Sequence, residues 1–136
     1  MLGESNRIID AEREILIRAA LDVANDASGL RICVGTSHAG TSGTVAPSRM
    51  AQELGAHAVM VTPSKEAAPL SDDTLVEFYC RVAEGCPDLP IVLQDHPSST
   101  LVHMSINLVA RITREVPTVA CIKLESLPSP TKIRAL

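Results

Sequence analysis

The chain has 136 residues, of which 46% are hydrophobic and 21% charged, and it carries a formal net charge of -4. That is one domain's worth of polypeptide, and its acidic balance, with only Phe78 and Tyr79 to stack on bases, argues against a nucleic-acid partner. No stretch approaches the roughly 18 consecutive apolar residues of a membrane span, and the start Met1-Leu2-Gly3-Glu4 lacks a signal peptide's basic and apolar regions, so a cytoplasmic protein away from the membrane is expected.

In chain order, Asp10 is a suitable N-cap, and Ile15, Leu16, Ala19, Ala20 and Val23 then fall on one helical face until Asn25, Asp26, Ser28 and Gly29 stop the helix. A short strand, Arg31-Ile32-Cys33-Val34, follows. Its loop Gly35-Thr36-Ser37-His38-Ala39-Gly40-Thr41-Ser42-Gly43 leads into a helix with Pro47 in the first turn and Gly55 at the end, and Ala58-Val59-Met60-Val61 reads as the next strand. Ser71 caps a third helix lined by Leu75, Val76, Tyr79, Val82 and Ala83, which Gly85 ends before the strand Ile91-Val92-Leu93. Ser105 caps a helix of Ile106, Val109, Ala110 and Ile112 that stops before Pro117. A strand spans residues 119–124, and Ser129-Pro130-Thr131 opens a further helix. Cys33, Cys80, Cys86 and Cys121 have no short paired spacing and are predicted to be reduced core thiols.

Strands and helices alternating at intervals of about thirty residues imply right-handed crossovers and a parallel sheet. Two α/β architectures fit: a small doubly wound sheet, or part of a (β/α)8 TIM barrel. The chain opens on a strand-to-helix turn with no strand before it and closes inside a helix, so residues 1–136 are read as a single incomplete barrel domain with about four complete strands.

Lys123 is the candidate for chemistry. An unpaired ammonium in a buried strand is costly, so this lysine either finds a carboxylate or loses its proton and becomes a nucleophile able to form a Schiff base. Snorkelling to solvent or pairing with Glu125 is the structural alternative. If Lys123 points into a barrel, alternation sends Val119, Cys121 and Glu125 inward with it, and Ala120, Ile122 and Leu124 outward to the helices. The polar strand ends Gly35-Thr36-Ser37, Thr62-Pro63-Ser64 and Gln94-Asp95-His96-Pro97 sit where parallel α/β proteins place their sites, with either Gln94 and His96 or Asp95 turned inward. Asp95-His96-Pro97 also suits turn and capping hydrogen bonds.

The ordered series Gly3-Glu4-Ser5, Asp10-Ala11-Glu12-Arg13, Val34-Gly35-Thr36, Ala51-Gln52-Glu53-Leu54-Gly55-Ala56, Val61-Thr62-Pro63, Val92-Leu93-Gln94-Asp95-His96-Pro97-Ser98-Ser99-Thr100 and Ile122-Lys123 resembles the dihydrodipicolinate synthase and N-acetylneuraminate lyase family. These are pyruvate-dependent, class I aldolase-type barrels, and the resemblance runs from the turn after the second strand to the start of the sixth helix. It implies a lyase, aldolase or dehydratase in which Lys123 condenses with pyruvate or another 2-oxo acid, the imine acting as electron sink. It implies no metal and no dissociable cofactor, and leaves a homo-oligomer as an open option, since relatives are commonly tetramers.

The departures from the family narrow the reading. Gln94 occupies the position of the proton-shuttling tyrosine, and an amide does not titrate; Asp95 or His96 could take over that role. Ser99 stands where synthases carry a carboxylate-clamping arginine, and Ser64 and Lys65 replace tyrosines after the fourth-strand proline. Met1 and Leu2 replace two threonines, so backbone donors at Leu2 and Gly3 are left to hold a substrate carboxylate. Dihydrodipicolinate synthase activity is therefore not expected, and a divergent relative acting on sugar-derived 2-oxo acids is. The chain alone is expected to show little or no turnover. The alternative is a non-catalytic remnant or a small α/β binding module.

Remaining features are weaker. The loop 35–43 lacks the lysine and glycine spacing of a nucleotide loop. His38, Asp95 and His96 have no metal-ligand spacing, and Asp72-Asp73 fit the positive end of a helix dipole.

Overall fold

The computed structural model describes residues 7–27, 29–65 and 69–136. Four strands, β1 (Cys33–Gly35), β2 (Ala58–Val61), β3 (Ile91–Asp95) and β4 (Val119–Leu124), lie in one parallel sheet in chain order. Between and around them run α1 (Asp10–Asp26), α2 (Thr41–Glu53), α3 (Asp72–Gly85), the short α4 (Pro97–Thr100), α5 (Ile106–Glu115) and α6 (Ser129–Ala135). The expected partial TIM-barrel architecture is present.

Local chemistry explains where the helices begin and how they pack. The Ser71 and Ser105 hydroxyls each accept the amide hydrogen three residues on, from Thr74 and Leu108 at 3.1 Å. At α1 the expected cap, Asp10, is instead the first helical residue, and the Ile9 amide donates to the Glu12 carboxylate at 3.0 Å. The expected apolar face of α1 is also displaced. Arg13, Ile17, Leu21 and Ala24 are buried, whereas Ile15 and Val23 are exposed and Leu16 borders an open cavity beside β1. In α2, Pro47 lies inside the helix rather than in its first turn, because the helix starts right after Gly40, whose φ of 74° suits glycine. Gly85 lets α3 approach α2: a Cβ there would fall 2.6 Å from Val45 Cγ1.

The core lies between the sheet and the helices α2, α3 and α5. Val59, Val61, Ile91 and Leu93 are fully buried against Tyr79, Val82, Val109 and Ile112. The Tyr79 hydroxyl donates to the Val61 carbonyl at 3.2 Å, and burial, then the Asp95 charge, raises its pKa.

β4 departs from simple alternation. Its register with β3 shifts between Ile91 and Val92, so that Val119 pairs with Ile91 and Cys121 with Val92. Val119 therefore joins the helix-side core, contrary to the inward placement expected for it, and exposed Ala120 absorbs the phase change. The expectation of core thiols is also corrected: Cys86 is buried, but Cys33 and Cys121 are exposed on the other side of the sheet.

Candidate active site

Beyond the bulge the pairing is regular, with Gln94 opposite Lys123 and Asp95 opposite Leu124. Partners across a parallel pair share a face, so Gln94 and Lys123 project to the inner side, and Glu125, two residues on, follows. Asp95 faces the helices and is fully buried. The alternation left two choices for β3; Gln94 and His96 are the pair turned inward, both lining a cavity of about 800 Å³ together with Lys123, Glu125, Met60 and Arg13.

Glu125 organises the polar groups of this cavity. Its Oε1 accepts from Lys123 Nζ at 2.8 Å and from Gln94 Nε2 at 2.8 Å, and its Oε2 lies 3.3 Å from His96 Nε2. The His96 Nδ1 is 2.8 Å from the Ser99 hydroxyl. The Ser99 hydroxyl also donates to the His96 carbonyl at 3.2 Å, and in the tautomer where it donates to Nδ1 instead the ring proton sits on Nε2, aimed at Glu125. The Lys123 hydrogen bond, then that of Gln94, holds the Glu125 carboxyl below the usual carboxylate range. Lys123 thus adopts the structural alternative of pairing with Glu125, and its side chain is 48% exposed rather than buried.

Ser99 is exposed and touches the site through the His96 ring, while Leu2 and Gly3, the other expected substrate contacts, lie outside the described residues. The other polar strand ends serve the fold. Thr36 is buried with its Oγ1 2.8 Å from the Ser48 hydroxyl of α2, and Ser37 Oγ accepts the Thr62 amide hydrogen at 2.8 Å. His38 stays with its own loop, its Nδ1 3.2 Å from the Ala39 carbonyl. Among the described residues no group of three or more His, Cys, Asp or Glu side chains could hold a metal ion, and no helix is long and apolar enough to cross a membrane.

Sequence reasoning named Glu125 only as a partner for Lys123. Its spacing of two from Lys123 placed it on the same face, but its simultaneous hold on Gln94 and His96 depends on β3 lying alongside. Asp95 was weighed as an acid or a cap; instead its Oδ2 accepts from the Ser126 hydroxyl at 2.6 Å and from Lys132 Nζ of α6.

The family model for the dihydrodipicolinate synthetase family matches residues 2–129. The chain belongs to that family. It is 36% identical to an L-2-keto-3-deoxyarabonate dehydratase of Azospirillum brasilense over 98% of this chain and 43% of that protein. An L-threo-3-deoxy-hexylosonate aldolase of Aspergillus niger is 31% identical over 82% of this chain and 35% of its own length. Among solved structures, a dihydrodipicolinate synthase superposes with a TM-score of 0.88 at 26% identity, covering 98% of this chain and 45% of that one. The synthase of Thermotoga maritima gives 0.86 at 27% identity over 97% of this chain and 43% of its own. The chain spans less than half the length of these relatives.

Proposed function

We propose that this chain is part of a single barrel domain of a lyase that forms a Schiff base between Lys123 and a 2-oxo acid, acting as a dehydratase or aldolase on a sugar-derived substrate. The observation that best supports this reading is the 2.8 Å contact between Lys123 Nζ and a carboxylate that also binds Gln94 and His96 in an open cavity. The kinship with an L-2-keto-3-deoxyarabonate dehydratase and an L-threo-3-deoxy-hexylosonate aldolase supports the choice of substrate class.

In this reading Lys123 reacts as the free amine after giving up a proton to solvent, and that amine attacks the keto carbon, whose oxygen takes up the returning proton. A C–N bond forms, the keto oxygen leaves as water, and a protonated imine results. The imine withdraws electrons from the adjacent carbon, whose proton passes to Glu125 or His96. The enamine then expels a β-hydroxyl as water, with the proton returned by the same groups. In the aldolase variant the β-hydroxyl loses its proton instead, and the C–C bond breaks to give an aldehyde and the enamine. Gln94 fixes Oε1 toward the lysine rather than relaying a proton, so the Glu125–His96 pair takes the role of the absent tyrosine. Ser99 keeps the His96 ring turned toward Glu125, and backbone groups at Leu2 and Gly3 are assigned to the substrate carboxylate.

Borohydride reduction with pyruvate, followed by mass spectrometry, tests this. A stable adduct that is absent from Lys123→Ala is expected. No adduct with pyruvate or any sugar-derived 2-oxo acid, in this chain and in a longer chain containing it, would remove the reading. A non-catalytic α/β module is the second reading, favoured by one feature: the exposure of Lys123.

A further inference from the structure

On the opposite side of the sheet from the cavity, a second lysine makes contacts that the proposed chemistry does not use. Lys132 of α6 is only 14% exposed, and its Nζ donates to the fully buried Asp95 Oδ2 and to the Met104 carbonyl. The same Asp95 oxygen accepts from Ser126 Oγ at 2.6 Å, and the Asp95 carbonyl accepts the Glu125 amide hydrogen at 2.9 Å. Asp95 therefore holds both residues that follow β4: Glu125 by its backbone and Ser126 by its side chain. Asp95 Oδ1 has no hydrogen-bond partner among the described residues, so Oδ2 carries the whole side-chain part of the attachment.

We propose that Asp95 and Lys132 form a buried positioning pair that fixes the turn after β4 and thereby sets Glu125 against Lys123. The geometry leaves little slack: Glu125 must place one oxygen between Lys123 and Gln94 and the other beside His96. A turn anchored from beneath supplies that, because Glu125 itself is partly exposed. The anchor spans three elements, since Lys132 ties α6 and the segment before α5 to the end of β3. Neither Asp95 nor Lys132 touches the cavity, so both act through Glu125. The importance of this to the reaction rests on the proposed role of Lys123, whereas the placement of Glu125 does not.

The experiment therefore needs no 2-oxo acid. Replacing the pair with apolar residues, Asp95→Leu with Lys132→Met, removes the side-chain anchor without leaving an unpaired buried charge. The Glu125 carboxyl is followed by carbon-detected NMR titration, and the acylation of Lys123 by acetic anhydride is measured against that of exposed Lys65. The charged groups around Glu125 in this titration are Lys123 on β4, His96 at the end of β3 and Arg13 of α1, none of which is altered. In the folded double variant the Glu125 midpoint is expected to rise toward the ordinary value of about 4.3, and Lys123 is expected to react several-fold faster at neutral pH. Values equal to wild type in a folded but less stable variant would make the pair merely structural and overturn the proposal. Should the double variant fail to fold, Ser126→Ala, which removes one Asp95 contact, is read in the same way. A smaller rise of the same sign supports the proposal, and an unchanged Glu125 titration overturns it.

Discussion

The two faces of the sheet are built from alternate residues of the same strands and behave as different materials. On the helix side Val59, Val61, Ile91 and Leu93 are fully enclosed. On the inner side Cys33, Cys121 and Lys123 are exposed, Met60 and Val92 are half-buried, and Gln94 is buried beside Glu125. Stability therefore resides on one face, and the Lys123, Gln94, His96 and Glu125 cluster lies on the other. A pleat of period two allows this division, because successive side chains of a strand point to opposite faces.

The sharpest way to break that division is to truncate the core face. Leu93→Ala should destabilise by about 2–5 kcal/mol, measured by denaturant unfolding, since it removes a large side chain from a closed site. A change below about 0.5 kcal/mol would mean that the helix side is not the stabilising one. Next in size is the pH response of the inner face. The Glu125 carboxyl is depressed by Lys123 and then Gln94, so its contribution is present above the ordinary carboxylate pKa and is lost as pH falls through the lower folded value. Glu125→Gln should therefore lower stability by less than about 1 kcal/mol at neutral pH, the half-exposed ion pair being weak, with the difference closing below about pH 4. Unfolding midpoints over that range decide it; a gap that widens on acidification has the wrong sign. Smallest of all, Cys121→Ala should change stability by less than about 0.5 kcal/mol, because the thiol fills no closed space.

Much of the sheet and of the helix starts was legible in the sequence, for identifiable reasons. Ser71 and Ser105 precede apolar stripes of helical period, and both hydroxyls accept the amide hydrogens expected. Ala58–Val61 has the unbroken apolar run of a parallel strand. The face of α1 was not legible, because that helix carries apolar residues on two stripes, and only the position of β1 and α2 determines which is covered. Val119 escaped because a bulge, which interrupts alternation, leaves no mark in a run of small apolar residues. At the site, Lys123, Gln94 and His96 could be named because strand ends carry chemistry in this architecture. The joining role of Glu125 and the pairing of Asp95 with Lys132 link residues 31 and 37 positions apart, and local spacing is silent about both.

The chain has lysines at 65, 123 and 132, and the last two sit on opposite faces of the sheet. Peptide mapping after borohydride reduction with a 2-oxo acid therefore tests the division of labour and the chemistry at once. The adduct is expected on Lys123 with none on Lys132, whose amine is held by Asp95 and the Met104 carbonyl. An adduct on Lys132, or equal labelling of Lys65 and Lys123, would contradict the assignment of Schiff-base chemistry to the inner face.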